Sequence, residues 1–326
     1  MLVATCLGAR WRTSVLDDAA RAIIRQHAEL VDLDPRAPDG FTVAAAARVL
    51  VTGWGAPPLD AAVLDRLPDL ELVAHAAGSV RGVVTGAAWR RGIRVSTATA
   101  ANAVSVADFT AAQIHLSLKN AWRLAARSRR DLAAPDRFEA RGVDTATIGL
   151  IGLGHIGRLV AERLRAQDVA VLAYDPHASD VTCARLGVTR HDLATVFARA
   201  DVLSVHAPLT ESTRGMIGRE LIESLRPHAT LINTARGGLI DHDALTVVLT
   251  ERPDLFALLD VTDPEPLPPG HPLFGLDNTV ITPHIAGCVG TDVARLGRAA
   301  AEEVARFAAG VPLAHELTEG RAAFSA

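Results

Sequence analysis

The chain has 326 residues, a formal net charge of −4, and a composition of 49% hydrophobic and 21% charged residues. This length predicts about two globular domains, and this apolar content excludes an intrinsically disordered protein. The slightly negative charge excludes a protein held to nucleic acid by bulk electrostatics, and no apolar run reaches the roughly 18 residues of a membrane span.

The three cysteines, Cys6, Cys183 and Cys288, are odd in number and far apart, and none lies in a CxxC pattern. This spacing disfavours a disulfide framework or a zinc site, so we expect no bound metal and a reducing, cytoplasmic compartment. The apolar run at the N-terminus has no basic stretch before it, which favours a strand over a signal peptide.

Short apolar runs alternate with helical patterns through the first hundred residues. The predicted strands are 2–7, 48–54, 70–77 and 94–96, with an amphipathic helix at 15–27. This alternation is typical of a parallel sheet covered by helices on both faces. Residues 105–131 then predict one long helix, which leaves one domain and enters the next.

The second alternating block is clearer and extends almost to the C-terminus. Its predicted strands are 147–151, 169–174, 202–206, 229–233, 255–260 and 279–282. Its predicted helices are 156–166, 191–200, 218–226, 241–251 and 291–309, and a Pro-rich loop covers 263–272. We therefore predict a second α/β domain with a parallel sheet.

A glycine motif, GLGHIG, follows the strand at 147–151 and begins the next helix. Gly152 permits a tight turn, Gly154 lets the backbone approach a pyrophosphate, and Gly157 lets helix and strand pack closely. The phosphates would lie over the helix N-terminus, where free N–H groups favour an anion. The pattern alone also fits an ordinary glycine-rich turn, but its position between strand and helix predicts a Rossmann-like dinucleotide site.

Asp175 ends the following strand, where a carboxylate can accept hydrogen bonds from the ribose hydroxyls of NAD. The same charge would repel the 2′-phosphate of NADP, and no arginine adjoins it. We therefore predict NAD as the cofactor. The alternative is a solvated aspartate in a turn.

Three polar segments follow later strands: NTARGG at 233–238, DVTDPEP at 260–266 and TPHIAG at 282–287. With these segments, and with RRGIRVSTATAANAVSVADFT upstream, nearly the whole chain resembles the D-isomer-specific 2-hydroxyacid dehydrogenases. This family includes phosphoglycerate dehydrogenases and hydroxypyruvate reductases. The resemblance implies two Rossmann-like domains with doubly wound parallel sheets and an active-site cleft between them.

The family's catalytic Arg, Glu and His correspond to Arg236, Glu265 and His284. By this resemblance, His284 exchanges the proton of the substrate oxygen, which suits an imidazole near neutral pH. Glu265 orients the ring, and Arg236 binds the substrate carboxylate and polarises the carbonyl. Taken singly, Arg236 also fits a surface ion pair, Glu265 a solvated loop side chain, and His284 a structural histidine.

The resemblance implies further cofactor contacts around the same motifs. Backbone N–H groups of His155 and Ile156 would face the pyrophosphate. The remaining predicted contacts are His206, Ala207, Pro208, Thr234, Ala235, Arg236, Asp260, His284 and Gly287. Asp260 also fits a packing or capping carboxylate.

On the substrate side, the resemblance assigns carboxylate binding to the loop Gly78, Ser79, Val80 and Arg81, together with Arg236. The usual family pattern has Gly at Ser79 and Asp at Arg81. The arginine predicts either a second anionic group on the substrate or a surface salt bridge. Trp54 either walls the substrate pocket or packs in the core.

We therefore expect a discontinuous substrate-binding domain, 1–100 plus 286–326, and an NAD-binding domain, 101–285. The expected reaction interconverts a 2-oxo acid and an (R)-2-hydroxy acid with NAD, in a homodimer. Glu265 argues against formate dehydrogenase, which shares the fold but has Gln there. The alternative from another class is a family-related NAD-binding co-repressor that binds peptides.

Overall fold

The computed structural model describes residues 1–37, 39–130 and 142–322. The chain divides into two compact units. The first comprises Met1–Asn102 and Cys288–Ala326, and the second comprises Ala103–Gly287. The domain limits expected from the sequence, 100 and 285, lie two residues before the corresponding limits of these units, 102 and 287.

The strands and helices follow one another along both units. The strands are β1 (Leu2–Cys6), β2 (Glu29–Asp32), β3 (Ala47–Thr52), β4 (Leu72–His75), β5 (Arg94–Thr97), β6 (Thr147–Ile151), β7 (Ala170–Tyr174), β8 (Thr189–Arg190), β9 (Val202–Val205), β10 (Thr230–Asn233), β11 (Phe256–Leu259), β12 (Thr279–Ile281) and β13 (Glu316–Leu317). The helices are α1 (Arg12–Val15), α2 (Asp18–Arg25), α3 (Ala61–Asp65), α4 (Gly86–Arg90), α5 (Thr99–Leu118), α6 (Ala121–Arg130), α7 (His155–Leu164), α8 (Asp180–Leu186), α9 (Leu193–Arg199), α10 (Arg219–Glu223), α11 (His242–Glu251), α12 (Val293–Ala308) and α13 (Glu319–Ala322).

Each unit contains one sheet. In the first unit the strand order is β13-β5-β4-β3-β1-β2, and in the second it is β12-β11-β10-β9-β6-β7-β8. All neighbouring strands are parallel except β13, which runs antiparallel to β5. The predicted α/β class is confirmed, with the short antiparallel edge strand as an addition.

The central strands of the second unit are buried on both faces. Every residue of β9, β10 and β11 is buried, because helices cover the sheet on each side. One face packs around Phe197, Leu231 and Leu245, and the opposite face packs around Ile148 and Val160. Full burial of such a side chain contributes roughly 1.5–3 kcal/mol, so the two layers fix the sheet on which the site is built.

The prediction of one continuous helix at 105–131 is wrong. The chain forms α5 and then α6, separated at Asn120, whose φ of +55° lies in the left-handed region. Asparagine tolerates this conformation better than most residues, so it interrupts the helical hydrogen bonds here. Asp131, the last residue of the predicted helix, lies outside the described residues.

Other predicted bounds were also wrong. The helix predicted at 15–27 is α2, whose N-cap Asp17 accepts a hydrogen bond from the Ala20 amide at 2.8 Å. Strands β2, β8 and β13 were not predicted. They are short edge strands with few buried residues, so their sequences lack the continuous apolar run that marks the central strands.

Candidate active site

Parallel pairing places the predicted motifs of the second unit at one edge of its sheet. Ile151 lies opposite Tyr174 and Val205, and Asn233 lies opposite Val205 and Leu259. Each predicted motif of this unit begins at or directly after the carboxyl end of a strand. The carboxyl ends of parallel strands are the usual ligand-binding edge in α/β proteins.

The glycine motif forms the turn between β6 and α7. Gly152 has a φ of +99°, and a Cβ there would lie 2.9 Å from the Ala207 amide nitrogen. A Cβ on Gly157 would lie 2.1 Å from the Gly152 carbonyl oxygen. By contrast, a Cβ on Gly154, the N-cap of α7, would meet no protein atom within 4 Å. Gly152 and Gly157 are therefore needed by the fold, whereas Gly154 keeps open the space above the N-terminus of α7, where His155 and Ile156 begin the helix.

The carboxylate of Asp175 holds backbone groups on both sides of this turn. Its Oδ2 accepts from the Leu153 amide at 2.6 Å, and its Oδ1 accepts from the His177 and Ala178 amides at 2.7 and 3.0 Å. A carboxylate offers about four acceptor positions. Asp175 thus supports the glycine turn, a role that the sequence did not predict, and about one acceptor position of its carboxylate remains. A contact of this carboxylate with a ribose hydroxyl stays a prediction.

His206 follows β9 and lies beside the glycine turn, with its Cβ 3.6 Å from the position of a Cβ on Gly157. Its Nε2 is shielded from solvent and has no hydrogen-bond partner among the described residues. Burial lowers the pKa of His206 to about 4, so the ring is neutral at pH 7. A shielded ring nitrogen on a residue beside the glycine turn fits a site whose bound group supplies the missing partner.

The loop that carries Arg236 is held by Asn233, the last residue of β10. The buried Asn233 donates from Nδ2 to the Arg236 carbonyl at 2.9 Å and accepts from the Ala235 amide at 3.0 Å. Thr234 pairs with Thr110 of α5 through their hydroxyls at 2.9 Å. The half-buried Arg236 side chain donates from Nη1 to the Ala235 carbonyl at 2.6 Å. The sequence reasoning assigned no role to Asn233, although it begins the NTARGG segment.

Glu265 and His284 form a direct pair. His284 Nδ1 lies 2.6 Å from Glu265 Oε1, and the two side chains are 49% and 41% exposed, His284 first. Because Glu265 occupies Nδ1, Nε2 is the ring nitrogen left for proton exchange with another molecule. His284 has a φ of +56°, a conformation uncommon for a residue with a side chain.

Asp260 holds the turn that carries this histidine. Its Oδ1 accepts from the Thr282 hydroxyl at 2.6 Å and from the Ile285 amide at 2.8 Å, and its Oδ2 accepts from the Ala286 amide at 2.8 Å. The His284 amide also donates to the Asp260 carbonyl at 3.0 Å. These bonds fix the unusual backbone of His284, so the capping interpretation of Asp260 is supported. A contact of Asp260 with nicotinamide stays a prediction.

The predicted substrate loop lies in the first unit, after β4. Gly78 and Ser79 are half-buried, Val80 is buried and Arg81 is exposed. The Thr99 hydroxyl donates to the Gly78 carbonyl at 2.9 Å, and this contact was not predicted. The loop therefore has a defined anchor in its own unit.

Trp54 follows β3 in the same unit. Its ring lies 4.9 Å from that of Trp11, centroid to centroid, and it packs against a small cluster that includes Ala98 and Leu296. These contacts favour the core-packing interpretation of Trp54.

In the described part of the chain, no helix is long and apolar enough to cross a membrane. Within residues 1–37, 39–130 and 142–322, no group of three or more His, Cys, Asp or Glu side chains could hold a metal ion.

The second unit fits a dinucleotide on three grounds: the open approach over Gly154, the shielded Nε2 of His206, and the remaining acceptor of Asp175. The pyrophosphate would lie over the N-terminus of α7, with the ribose at Asp175.

Known proteins resemble this chain in sequence and in fold. Residues 112–286 match the family described as "D-isomer specific 2-hydroxyacid dehydrogenase, NAD binding domain". The chain is 35% identical over 258 residues to D-3-phosphoglycerate dehydrogenase of Archaeoglobus fulgidus, covering 78% of this chain and 48% of that protein. It is 34% identical over 250 residues to (S)-sulfolactate dehydrogenase of Chromohalobacter salexigens, covering 74% and 81% of the two chains.

Among solved structures, the TT0316 protein of Thermus thermophilus is 31% identical, with a TM-score of 0.77 and coverage of 98% of this chain and 100% of that one. The chain spans about half the length of the D-3-phosphoglycerate dehydrogenase that it matches. Similarity to that protein therefore concerns only the matched part.

Proposed function

Because the chain belongs to the D-isomer specific 2-hydroxyacid dehydrogenase family, we propose that it is an NAD-dependent oxidoreductase that interconverts a 2-oxo acid and the (R)-2-hydroxy acid. The observation that carries this proposal is the 2.6 Å pair of Glu265 and His284, at the same sheet edge as the glycine turn and the Arg236 loop. A proton-exchanging imidazole beside a dinucleotide site is what carbonyl reduction requires.

In the proposed reduction, NADH held at the glycine turn and Asp175 would supply a hydride for the carbonyl carbon of the substrate. The electron pair of the carbonyl bond moves to the oxygen, which takes a proton from Nε2 of His284. Glu265 holds the ring through Nδ1, so that Nε2 keeps its direction throughout. Arg236 carries a fixed positive charge for the substrate carboxylate and for the charge that develops on the oxygen. Oxidation of the hydroxy acid reverses these transfers.

The activity is tested by following NADH absorbance with glyoxylate, hydroxypyruvate, pyruvate and phosphonopyruvate. We expect reduction of at least one of these acids, and loss of activity in Arg236→Ala. Binding of NADH without reduction of any 2-oxo acid would favour the alternative, a co-repressor or peptide-binding module. The relatives from Archaeoglobus fulgidus and Chromohalobacter salexigens are named as dehydrogenases, which supports an enzymatic function.

We propose that the loop from Gly78 to Arg81 contributes to substrate binding. Two of the relatives are named for phosphoglycerate and sulfolactate, acids with a second anionic group. Arg81 is exposed. A comparison of two substrates distinguishes a contact with a distal anion from a surface salt bridge. If Arg81 binds a distal anion, Arg81→Ala lowers kcat/KM for phosphonopyruvate and leaves glyoxylate almost unchanged. Equal losses with the two acids assign Arg81 a structural role, and no loss with either acid assigns it to the surface.

We further propose a homodimer located in the cytoplasm. The family resemblance supports the dimer, and the three free, buried cysteines support a reducing compartment. Light scattering of the purified protein measures the oligomeric state directly, and a monomeric mass at micromolar concentration would contradict the dimer.

A further inference from the structure

Two successive carbonyl groups of the substrate loop are held by the side chains of its own unit. The first is the Gly78 carbonyl, which accepts the Thr99 hydroxyl at 2.9 Å. The Thr99 hydroxyl in turn accepts from the Thr97 hydroxyl at 2.9 Å. Thr97 is the last residue of β5, so these hydrogen bonds connect the Gly78 carbonyl to the carboxyl end of that strand.

The second carbonyl is reached by His75, the last residue of β4, which is only 3% exposed. Its Nδ1 lies 2.9 Å from the hydroxyl of Thr52, the residue opposite it in β3. The ring also makes a hydrogen bond with the backbone of Ser79, which raises the pKa of His75 and so favours the protonated ring. A hydrogen bond that favours the protonated ring is one in which the ring nitrogen donates and the Ser79 carbonyl accepts.

Burial outweighs this bond and lowers the pKa of His75 to about 4. The ring is therefore neutral at pH 7, with one donor and one acceptor nitrogen. Nδ1 faces Thr52, so Nε2 is left to donate to Ser79, and the Thr52 hydroxyl donates to Nδ1. The neutral tautomer with its proton on Nε2 satisfies both the Ser79 contact and the Thr52 contact.

These contacts determine where the loop's N–H groups point. The peptide bonds from Gly78 to Ser79 and from Ser79 to Val80 are both trans. In a trans peptide the C=O and N–H bonds point in opposite directions. With the Gly78 and Ser79 carbonyls held against the strand ends, the N–H groups of Ser79 and Val80 point away from them. Two successive N–H groups turned the same way form an anion-binding concavity.

We propose that His75 and Thr99 are positioning residues that turn the Ser79 and Val80 N–H groups toward the substrate carboxylate. This inference rests on the proposed function, because it assumes that the loop binds a 2-oxo acid. Neither side chain needs to touch the substrate. Their effect is to fix the direction of the two donors before binding, which lowers the cost of ordering the loop.

The test uses two substitutions at His75 that differ in which ring nitrogen they replace. His75→Gln places its amide near the position of Nε2 and can still donate to Ser79. His75→Asn reaches only the position of Nδ1 and keeps the Thr52 contact alone. Thr99→Val removes the hydroxyl at nearly constant shape. As a matched control, Thr5→Val removes another buried threonine hydroxyl from the same sheet, one that donates to Asp32 at 2.5 Å.

We expect Thr99→Val and His75→Asn each to raise KM for glyoxylate about tenfold, which corresponds to roughly 1.4 kcal/mol of lost binding. The same variants should change kcat less than threefold and leave the Kd of NADH unchanged. His75→Gln should recover most of the wild-type KM. Thr5→Val should keep the wild-type KM, even if its melting temperature falls.

An unchanged KM in both Thr99→Val and His75→Asn, with the wild type active, would overturn the inference and leave the proposed function standing. Equal losses in the Gln and Asn variants would overturn the assigned role of the Ser79 contact. If the wild type binds NADH but reduces no 2-oxo acid, the proposed function itself fails. Melting temperatures and NADH binding identify any variant that has not folded.

Discussion

Gly154 offers a substitution that separates cofactor binding from folding. Its backbone has a φ of −65° and a ψ of −164°, which any residue adopts, and a Cβ there would meet no protein atom within 4 Å. Gly154→Ala should therefore fold. The added methyl group would stand over the N-terminus of α7, where the pyrophosphate is expected to approach the backbone.

The expected loss follows from the hydrogen bonds that the displaced pyrophosphate would give up. A hydrogen bond to a charged group contributes about 1.5–3 kcal/mol. Loss of one such bond weakens binding roughly 10- to 100-fold. The assay is a titration of NADH fluorescence on the purified protein, together with thermal unfolding followed by circular dichroism.

Gly218 provides the matched control. It is the N-cap of α10, with a φ of −95°, no side-chain cap and no atom within 4 Å of a Cβ. Both substitutions replace an N-cap glycine by alanine, so both incur a similar small cost to the helix N-terminus. If Gly154→Ala binds NADH as tightly as Gly218→Ala, the pyrophosphate does not lie at Gly154. Gly157→Ala should instead destabilise the unit, because its Cβ would lie 2.1 Å from the Gly152 carbonyl oxygen.

Three further predictions address the cofactor, the chemistry and the pH dependence of stability. Asp175 should make kcat/KM for NADH at least about tenfold higher than for NADPH, and Asp175→Ala should narrow this gap; equal efficiencies in the wild type would contradict the role. His284→Ala should lower kcat on the order of 10²–10⁴-fold, and Glu265→Gln should lower kcat while NADH still binds; a fully active His284→Ala would rule out the proposed proton donor. Burial lowers the pKa of His75 and His206 from 6.5 to about 4, so on acidification the unfolded chain binds protons that the folded chain does not. Each histidine should then reduce the free energy of unfolding by about 2 kcal/mol between pH 7 and about pH 5. Urea unfolding measures this loss, which should shrink when both are replaced by glutamine; an undiminished loss would contradict the assignment.

Local patterns in the sequence predicted the central strands, the glycine turn and the α/β class. Strand β11, for example, is a continuous apolar stretch of a kind that only a sheet covered on both faces requires. The resemblance carried by NTARGG, DPEP and TPHIAG predicted the family, and the family match over residues 112–286 confirms it together with NAD as cofactor. The roles of the individual site residues stay predictions, although the structure brings Glu265 and His284 into contact.

The sequence by itself determined the features that depend on neighbouring residues: the order of the buried central strands, and the glycines that a tight turn demands. Only the tertiary structure decided the features that depend on residues far apart in the chain. Strand β13 pairs with β5, and Glu316 thereby meets Arg94 at 2.8 Å. The carboxylate of Asp260 accepts hydrogen bonds from the two amides that follow His284. Hydrophobic periodicity reports which face of an element is buried, but a hydrogen bond between distant residues forms only when the packed sheet brings its donor and acceptor together.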